Sequence, residues 1–201
     1  MDMMVMRPAP ETVAVRAREI LAVWEADPEF GRLWQSCARY QNDWTCVFGY
    51  TVVENYDTAR DAEPLFTETM RCMAMKSAVY EATGDEKAAE LPVPVAVDEM
   101  SHALAAQFTL ASRIQDRTGI RFVHATDMEE GVGGGTWDHG DYTHQVYKAA
   151  FGNVPARYWI GAAETDRRRK ILDTVFAQVG VTDRGKKVAI DFGGAAPAVP
   201  A

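Results

Sequence analysis

Cysteine is scarce in this sequence. The chain of 201 residues has three cysteines, Cys37, Cys46 and Cys72, and no two of them form a Cys-x-x-Cys pair. An odd number of widely separated cysteines offers neither a disulfide framework nor the ligand set of a structural zinc ion. The sequence therefore predicts reduced thiols, which is the usual state in the cytosol.

Long apolar runs are also absent. No stretch approaches the roughly 20 apolar residues that a helix needs to cross a membrane. The first ten residues are apolar at only a few positions before they reach Arg7 and two prolines, which is too short for the core of a signal peptide. We expect a soluble, intracellular protein that is not secreted, located in the cytoplasm or in a virion, with no membrane partner.

An excess of positive charge is missing as well. The formal net charge is −8, with 29 Asp and Glu residues against 21 Lys and Arg residues. A protein that binds nucleic acid over its whole surface needs clustered Lys and Arg residues. The negative net charge therefore argues against a protein of this kind. One local basic run remains, Arg167, Arg168, Arg169 and Lys170, and it predicts a contact with nucleic acid or an acidic partner. A solvent-exposed helix face is the alternative interpretation.

The residues that are present describe a folded, helical protein. Hydrophobic residues make up 47% of the chain and charged residues 25%, close to the average for globular proteins. Apolar residues recur at helical spacing in several segments, most clearly from 97 to about 117. We predict a mainly α fold, a helical bundle of about five to six helices with a few short β-strands. The predicted units are an N-terminal arm (1–9), a single helical domain (10–192) and a C-terminal tail (193–201).

Three segments are candidates for the short strands. Residues 44–53 are rich in β-branched and aromatic side chains that alternate along the segment, although a helix is the rival interpretation. Residues 120–124 and 188–192 are the other two candidates. Each is only about five residues long, so any sheet would be a minor part of the fold.

The stretch from 119 to 151 carries the densest group of reactive side chains. It holds three of the four histidines and a glycine cluster at 131–135. A glycine-rich loop between a strand and a helix invites comparison with a phosphate-binding loop, but no Gly-Lys-Ser/Thr follows, and the surrounding carboxylates would repel a phosphate. A lid or a surface loop is the favoured interpretation.

The histidines of this stretch suggest a metal site. His139 and His144 are flanked by Asp138 and Asp141, and neutral imidazoles with carboxylates suit zinc, iron or manganese. His124 would add a third imidazole from the preceding segment. In the alternative interpretation, the two aspartates serve a turn and a helix N-cap, which ordinarily use this residue type.

Glu99 and His102 add a further candidate pair. Their i, i+3 spacing on a helix is the one used by di-iron carboxylate bundles, but the chain contains no second Glu-x-x-His. The pair lies opposite the apolar stripe of its helix, so an exposed pair in the first turn is the alternative. The metal hypothesis therefore names one divalent ion, with Glu99, His124, Asp138, His139 and His144 as candidate ligands.

Two functions remain open, and the sequence does not decide whether the protein is an enzyme. The first is a non-enzymatic subunit of a larger assembly, such as a virion, shell or filament, without a cofactor and with copies of itself or other subunits as partners. An apolar arm, Met3, Met4, Val5 and Met6, would make the subunit contacts. The second is a small helical enzyme with its site in the 119–151 region, where the candidate ligands bind a divalent metal or serve as acid and base. No Ser or Cys nucleophile stands in a recognisable motif.

Overall fold

The computed structural model of this chain describes residues 6–40, 44, 46–47, 50–51, 53–124 and 137–180. Within these ranges the fold is mainly helical, with eight helices. They are α1 (Pro10–Glu25), α2 (Phe30–Arg39), α3 (Thr58–Thr83), α4 (Glu86–Ala89), α5 (Val95–Ala105), α6 (Phe108–Thr118), α7 (Tyr142–Phe151) and α8 (Ala162–Gln178). The predicted helical class is confirmed, whereas the prediction of about five to six helices was too low.

Helix α3 is the centre of the fold. It is 26 residues long, and α1, α2, α5 and α7 pack around it. The side chain of Asp57 accepts a hydrogen bond from the backbone N–H of Arg60, which sets the start of the helix, and Gly84 ends it in the left-handed conformation. Its apolar residues lie on several sides because the other helices of the same chain enclose it.

The segment that the sequence predicts as one helix from 97 to 117 forms two. Helix α5 ends at Ala105 and α6 begins at Phe108, with a turn in which the backbone N–H of Gln107 bonds to the carbonyl of Leu104. The break turns the second half away from the first, so Phe108 is 76% exposed instead of continuing the buried stripe. This turn explains part of the difference in helix number.

The predicted short strands are not confirmed as elements of the fold. Among the described residues of 44–53, the structure has two paired segments of two residues each, β1 (Cys46–Val47) and β2 (Tyr50–Thr51), in antiparallel register. Residues 120–124 have no regular secondary structure. Their backbone bonds to side chains of neighbouring helices, namely Ser77 at Arg121 and Gln115 at Phe122. The candidate strand at 188–192 lies outside the described residues.

A buried carboxylate on α3 holds the connection between α7 and α8. Asp61 accepts hydrogen bonds from Arg157 Nε at 2.7 Å and from the Tyr158 hydroxyl at 3.0 Å, and Arg60 contacts it from its own helix. Burial works to raise the pKa of Asp61, but the hydrogen bonds from the two arginines outweigh it and hold the pKa well below its usual range.

A second carboxylate of α3 repeats this arrangement two turns further along. The carboxylate of Glu68 accepts hydrogen bonds from the Tyr147 hydroxyl and the Trp159 indole N–H, both at 2.7 Å, and from Arg71 at 2.8 Å. We refer to Asp61 and Glu68 together as the carboxylate anchor. It ties α7 and residues 157–159 to the central helix.

The start of the described chain lies against the domain. Arg7 donates hydrogen bonds to the carbonyls of Ala88 and Glu90, and the Tyr142 hydroxyl donates to the carbonyl of Pro8. Met6 is exposed, whereas the other residues of the predicted assembly arm, and the predicted tail at 193–201, lie outside the described residues. No helix in the described ranges combines the length and the apolar character needed to span a bilayer.

Candidate metal site

Three potential metal ligands converge beside α5. Asp98 and His102 are four residues apart, so they share one face of α5, and His124 approaches from the segment that follows α6. One ligand atom from each lies within 4.8 Å of the other two. In the described part of the chain, these three residues, which we refer to as the triad, are the only such group of His, Cys, Asp or Glu side chains.

The geometry of the triad is centred on His102. Its Nε2 lies 3.7 Å from Oδ2 of Asp98, and its ring centroid lies 5.2 Å from that of His124. On the other side of the ring, Nδ1 lies 3.4 Å from Oε2 of Glu99. A histidine that binds a metal through one nitrogen usually bonds to a carboxylate or carbonyl through the other, and Glu99 occupies that position here.

His124 differs from most polar side chains in the interior of a protein. Both of its ring nitrogens are buried, and neither has a hydrogen-bond partner. Nearly all buried polar atoms in native proteins are paired, so an unpaired one calls for an explanation such as a bound ion. A metal ion held by the triad would occupy one of the two nitrogens.

The electrostatic surroundings favour the neutral form of His124. Burial lowers its pKa, and the nearby Lys76 cation lowers it further, while Asp98 and Glu90 act in the opposite direction. Lys76 is itself buried and lies 2.7 Å from Glu90, with which it forms an ion pair. Neutral imidazole is the form that binds a metal ion, so His124 needs no deprotonation at neutral pH.

Several helices fix the segment that carries His124. Gly119 ends α6 with a φ of 69°, a left-handed conformation that glycine adopts without strain, and turns the chain back toward α5. The backbone N–H of Phe122 donates to the Gln115 side chain at 2.7 Å, and the Ser77 hydroxyl donates to the carbonyl of Arg121 at 2.5 Å. The ring of Phe122 also packs on Trp24, with centroids 4.3 Å apart.

A cavity of about 480 Å³ adjoins the triad between α5, α6 and residues 119–124. His124 is part of its wall. The apolar lining residues are Met73, Leu104, Ala105, Phe108, Ala111 and Phe122, and the other polar ones are Ser101, Gln115, Asp116 and Arg121. The wall is therefore mixed, with an apolar part and a polar part, and a concave space that combines apolar side chains with polar groups is a candidate small-molecule site.

The other predicted metal ligands lie elsewhere in the fold. His139 and His144 pack around Trp137 at the start of α7, with their ring centroids 5.3 Å apart. Nδ1 of His144 accepts a hydrogen bond from the backbone N–H of Gly140 at 2.8 Å. The structure therefore brings His124 into the triad and places Glu99 beside it, but His139 and His144 are not part of it.

The two aspartates near α7 make local backbone contacts. Asp141 accepts a hydrogen bond from the backbone N–H of His144 at 2.7 Å, which is an N-cap bond, and Asp138 accepts one from the N–H of His139 at 2.8 Å. These contacts match the alternative interpretation of a turn and a helix N-cap. The glycine cluster at 131–135 lies outside the described residues.

Asp98 was not among the predicted ligands, and His102 was named only in a pair with Glu99, apart from the other candidates. The alternative interpretation placed His102 toward water, opposite the apolar stripe of its helix. The side chains of Asp98 and His102 are indeed partly exposed, at 39% and 43%. The Asp-x-x-x-His spacing is the one sequence signal for these two ligands. It indicates a metal site only together with a third ligand, which the fold supplies as His124.

The basic run at the start of α8 is partly engaged within the chain. Arg167 and Arg168 both bond to Glu164, and Arg168 also contacts Glu54 at 2.8 Å. Arg169 and Lys170 are exposed. Contact of this run with nucleic acid or an acidic partner stays a prediction, with two of its four cations already beside carboxylates.

Nothing matched this chain in comparisons with protein-family models, curated proteins and solved structures. A function is therefore inferred from the side chains themselves, because a helical fold alone does not specify one.

Proposed function

We propose that this protein binds one divalent transition-metal ion through Asp98, His102 and His124. The observation that carries the proposal is the pair of buried, unpartnered nitrogens of His124 directly beside two further ligand groups. A buried imidazole without a hydrogen bond costs free energy, and a metal ion would remove part of that cost. The Glu99 carboxylate at Nδ1 of His102 supports the same assignment.

The ligand types indicate a site of catalytic character. Two imidazoles and one carboxylate are the ligand set of several catalytic zinc sites and of non-haem iron(II) centres. Three protein ligands leave at least one coordination position for water or a substrate, whereas structural zinc sites are closed by four. The proposed function is accordingly that of a small metal-dependent enzyme in which the ion serves as a Lewis acid or activates water.

Binding requires only small side-chain movements. Ligands of a tetrahedral zinc ion lie about 3.3 to 3.6 Å from one another, given Zn–N and Zn–O bonds of about 2.0 to 2.2 Å. The separation of 3.7 Å between Asp98 and His102 is already close to that range, and the whole triad lies within 4.8 Å. Asp98 and His102 are partly exposed, so both side chains can turn toward an ion without disturbing the core.

The direct test is metal titration of the chelator-treated, full-length protein. We expect one Co²⁺ or Zn²⁺ per chain by calorimetry, and a visible Co²⁺ spectrum typical of mixed nitrogen and oxygen ligands. His102→Ala and His124→Gln should each abolish stoichiometric binding. His139→Ala is the matched control and should bind normally.

Two results would contradict the proposal. Absence of stoichiometric metal in the unaltered protein would remove it altogether. Loss of the ion in His139→Ala, with retention in His102→Ala, would move the site to the start of α7, where the sequence predicted it.

A second candidate function is self-assembly, and one feature of α8 favours it. Ile171, Val175 and Val179 recur every four residues at the end of the described chain and are 48%, 48% and 71% exposed. A contiguous apolar stripe on a surface helix is typical of a contact between proteins. The proposal that the protein is a subunit of a larger assembly thus has support at α8.

Sedimentation measurements test this second candidate. We expect the protein to self-associate at micromolar concentration, and Val175→Glu to be monomeric because it places a charge in the middle of the stripe. Thr174→Glu adds the same charge at a neighbouring exposed position and should associate normally. A monomer without any substitution would remove the proposal.

A further inference from the structure

We infer that the cavity beside the triad binds a small amphiphilic acid or acyl compound, with its polar head on the metal ion and its apolar tail in the cavity. This inference rests on the proposed metal site. It specifies the ligand class, an aliphatic or aromatic molecule that ends in a carboxylate or a related metal-binding group. The position, lining and charges of the cavity lead to this conclusion.

The cavity and the triad are continuous along α5. Asp98, His102 and Ala105 are spaced by four and three residues, so they follow one face of the helix. Ala105 lines the cavity and lies about 4.5 Å further along the helix axis than His102, at 1.5 Å per residue. His124 belongs to both the triad and the cavity wall. An ion on the triad therefore lies at one end of the cavity.

The cavity wall suits an apolar tail. Met73 and Leu104 are buried residues of the core, and Ala111 and Phe122 extend the same apolar lining. A volume of about 480 Å³ falls within the range of 300 to 1,000 Å³ that small-molecule sites have. Transfer of each methylene group from water to such a surface strengthens binding by roughly threefold to fourfold.

The polar groups of the cavity wall favour the triad as the position of the ligand's head. Three of them already have hydrogen-bond partners within the protein. Arg121 is already paired with Glu86 at 3.0 Å and donates to the Tyr80 hydroxyl at 2.7 Å. Ser101 donates to the carbonyl of Val97, and Gln115 accepts from the backbone of Phe122.

The two remaining polar groups act in opposite ways on an acidic head. Asp116 is an exposed carboxylate and repels one. His124 has unpartnered nitrogens and contacts the metal position. The triad end of the cavity is therefore the position that we assign to an acidic head.

Three probes separate the contributions of head and tail. Acetohydroxamate tests the metal alone, 1-octanol tests the cavity alone, and octanohydroxamate engages both at once. With the Co²⁺-loaded protein, we expect octanohydroxamate to bind at least about 100-fold more tightly than acetohydroxamate, because several methylene groups become buried. Hydroxamate binding should change the Co²⁺ spectrum, whereas 1-octanol should compete with octanohydroxamate without changing it.

Substitutions that fill the cavity provide the matched test. Ala111→Phe should lower the affinity for octanohydroxamate toward that for acetohydroxamate while leaving Co²⁺ affinity within twofold. Ala105→Phe is a second variant at an exposed lining position, for use if Ala111→Phe does not fold. Ala106→Phe adds the same ring at an exposed position outside the cavity and should bind like the unaltered protein.

The outcomes distinguish this inference from the proposed function. Failure to bind Co²⁺ overturns both. Normal Co²⁺ binding with equal affinity for the two hydroxamates overturns only the cavity inference, as does an equal loss of affinity in Ala111→Phe and Ala106→Phe. A preference for octanohydroxamate that disappears only when the cavity is filled supports it.

Discussion

The carboxylate anchor and the triad both place polar side chains in or beside the core, but they differ in how those groups are satisfied. Glu68 accepts three hydrogen bonds from side chains, and Asp61 is bonded by two arginines and a tyrosine. His124 has none. A fully bonded buried group fixes the position of its neighbours, whereas an unbonded one is stabilised only by a ligand. The anchor is therefore structural, and the triad is the candidate for function.

Other buried groups without partners do not have the same meaning. Nε of Arg71 and the Thr143 hydroxyl also lack hydrogen bonds, as do the indole N–H groups of Trp24, Trp44 and Trp137. An indole nitrogen is a donor only and does not bind a metal ion. His124 stands apart because its two nitrogens can act as ligands and because Asp98 and His102 lie within reach.

The largest expected effect is at the anchor. Glu68→Ala removes the acceptor of the Tyr147 hydroxyl and of the Trp159 indole, and it leaves Arg71 with the Tyr147 oxygen but without its carboxylate, so we expect a loss of about 3 to 5 kcal/mol in the free energy of unfolding. Urea denaturation monitored by tryptophan fluorescence measures it. Glu63→Ala, at an exposed position of the same helix, should stay within about 0.5 kcal/mol of the unaltered protein. A loss below about 1 kcal/mol in Glu68→Ala would show that the anchor does not fix the fold.

The next effect is on the pH dependence of stability. The folded-state pKa of Asp61 lies below its unfolded value of about 3.9, so the unfolded chain binds a proton that the folded chain does not. The stabilisation is fully present above about pH 5 and decreases as the pH falls through the unfolded pKa toward the folded one. Asp61→Asn should be less stable at pH 7, and its deficit should shrink below about pH 4. A deficit independent of pH would contradict this account.

A smaller effect is expected where Glu99 supports the triad. Glu99→Gln removes the carboxylate at Nδ1 of His102 but leaves all three ligands, so metal affinity should fall by roughly 10-fold to 100-fold. Competition with a coloured chelator measures the change. Glu11→Gln, in the exposed first turn of α1, is the charge-matched control and should bind normally. Complete loss of binding in Glu99→Gln would instead make Glu99 a ligand.

The smallest expected effect on folding is at His124. His124→Leu replaces an unbonded imidazole by an apolar side chain, so the free energy of unfolding without metal should stay within about 1 kcal/mol of the unaltered value. The same variant should bind no metal. Destabilisation above about 3 kcal/mol would show that His124 makes essential contacts in the metal-free fold, as Glu68 does. The distinction between a structural anchor and a functional triad would then be wrong.

Patterns among residues that are close in sequence predicted most of the helices, but they did not predict the triad. The periodicity of apolar residues and the Asp141 cap depend on neighbours in sequence, and both predicted structure near the observed positions. The turn at 106–107 carries no strong breaking residue, so one helix was predicted where two exist. This split left Phe108 exposed against expectation.

The triad depends on a contact between distant parts of the chain. His124 was predicted as a ligand because it lies close to His139 and His144 in sequence, yet in the fold it faces Asp98 and His102. The turn at Gly119 and the anchoring of Phe122 on Trp24 create that contact. Neither is visible as a pattern of spacing, so sequence reasoning named His102 and His124 in separate groups and did not name Asp98.

The division of the triad between α5 and the segment after α6 has a thermodynamic consequence. An ion bound there joins α5 to the segment that follows the next helix, and it binds only when both are in place. The folded state then gains about 2.7 kcal/mol at a metal concentration of 100 times Kd. The melting temperature consequently reports on the occupancy of the site, and a panel of metal ions can be ranked by melting alone, before any substrate is known.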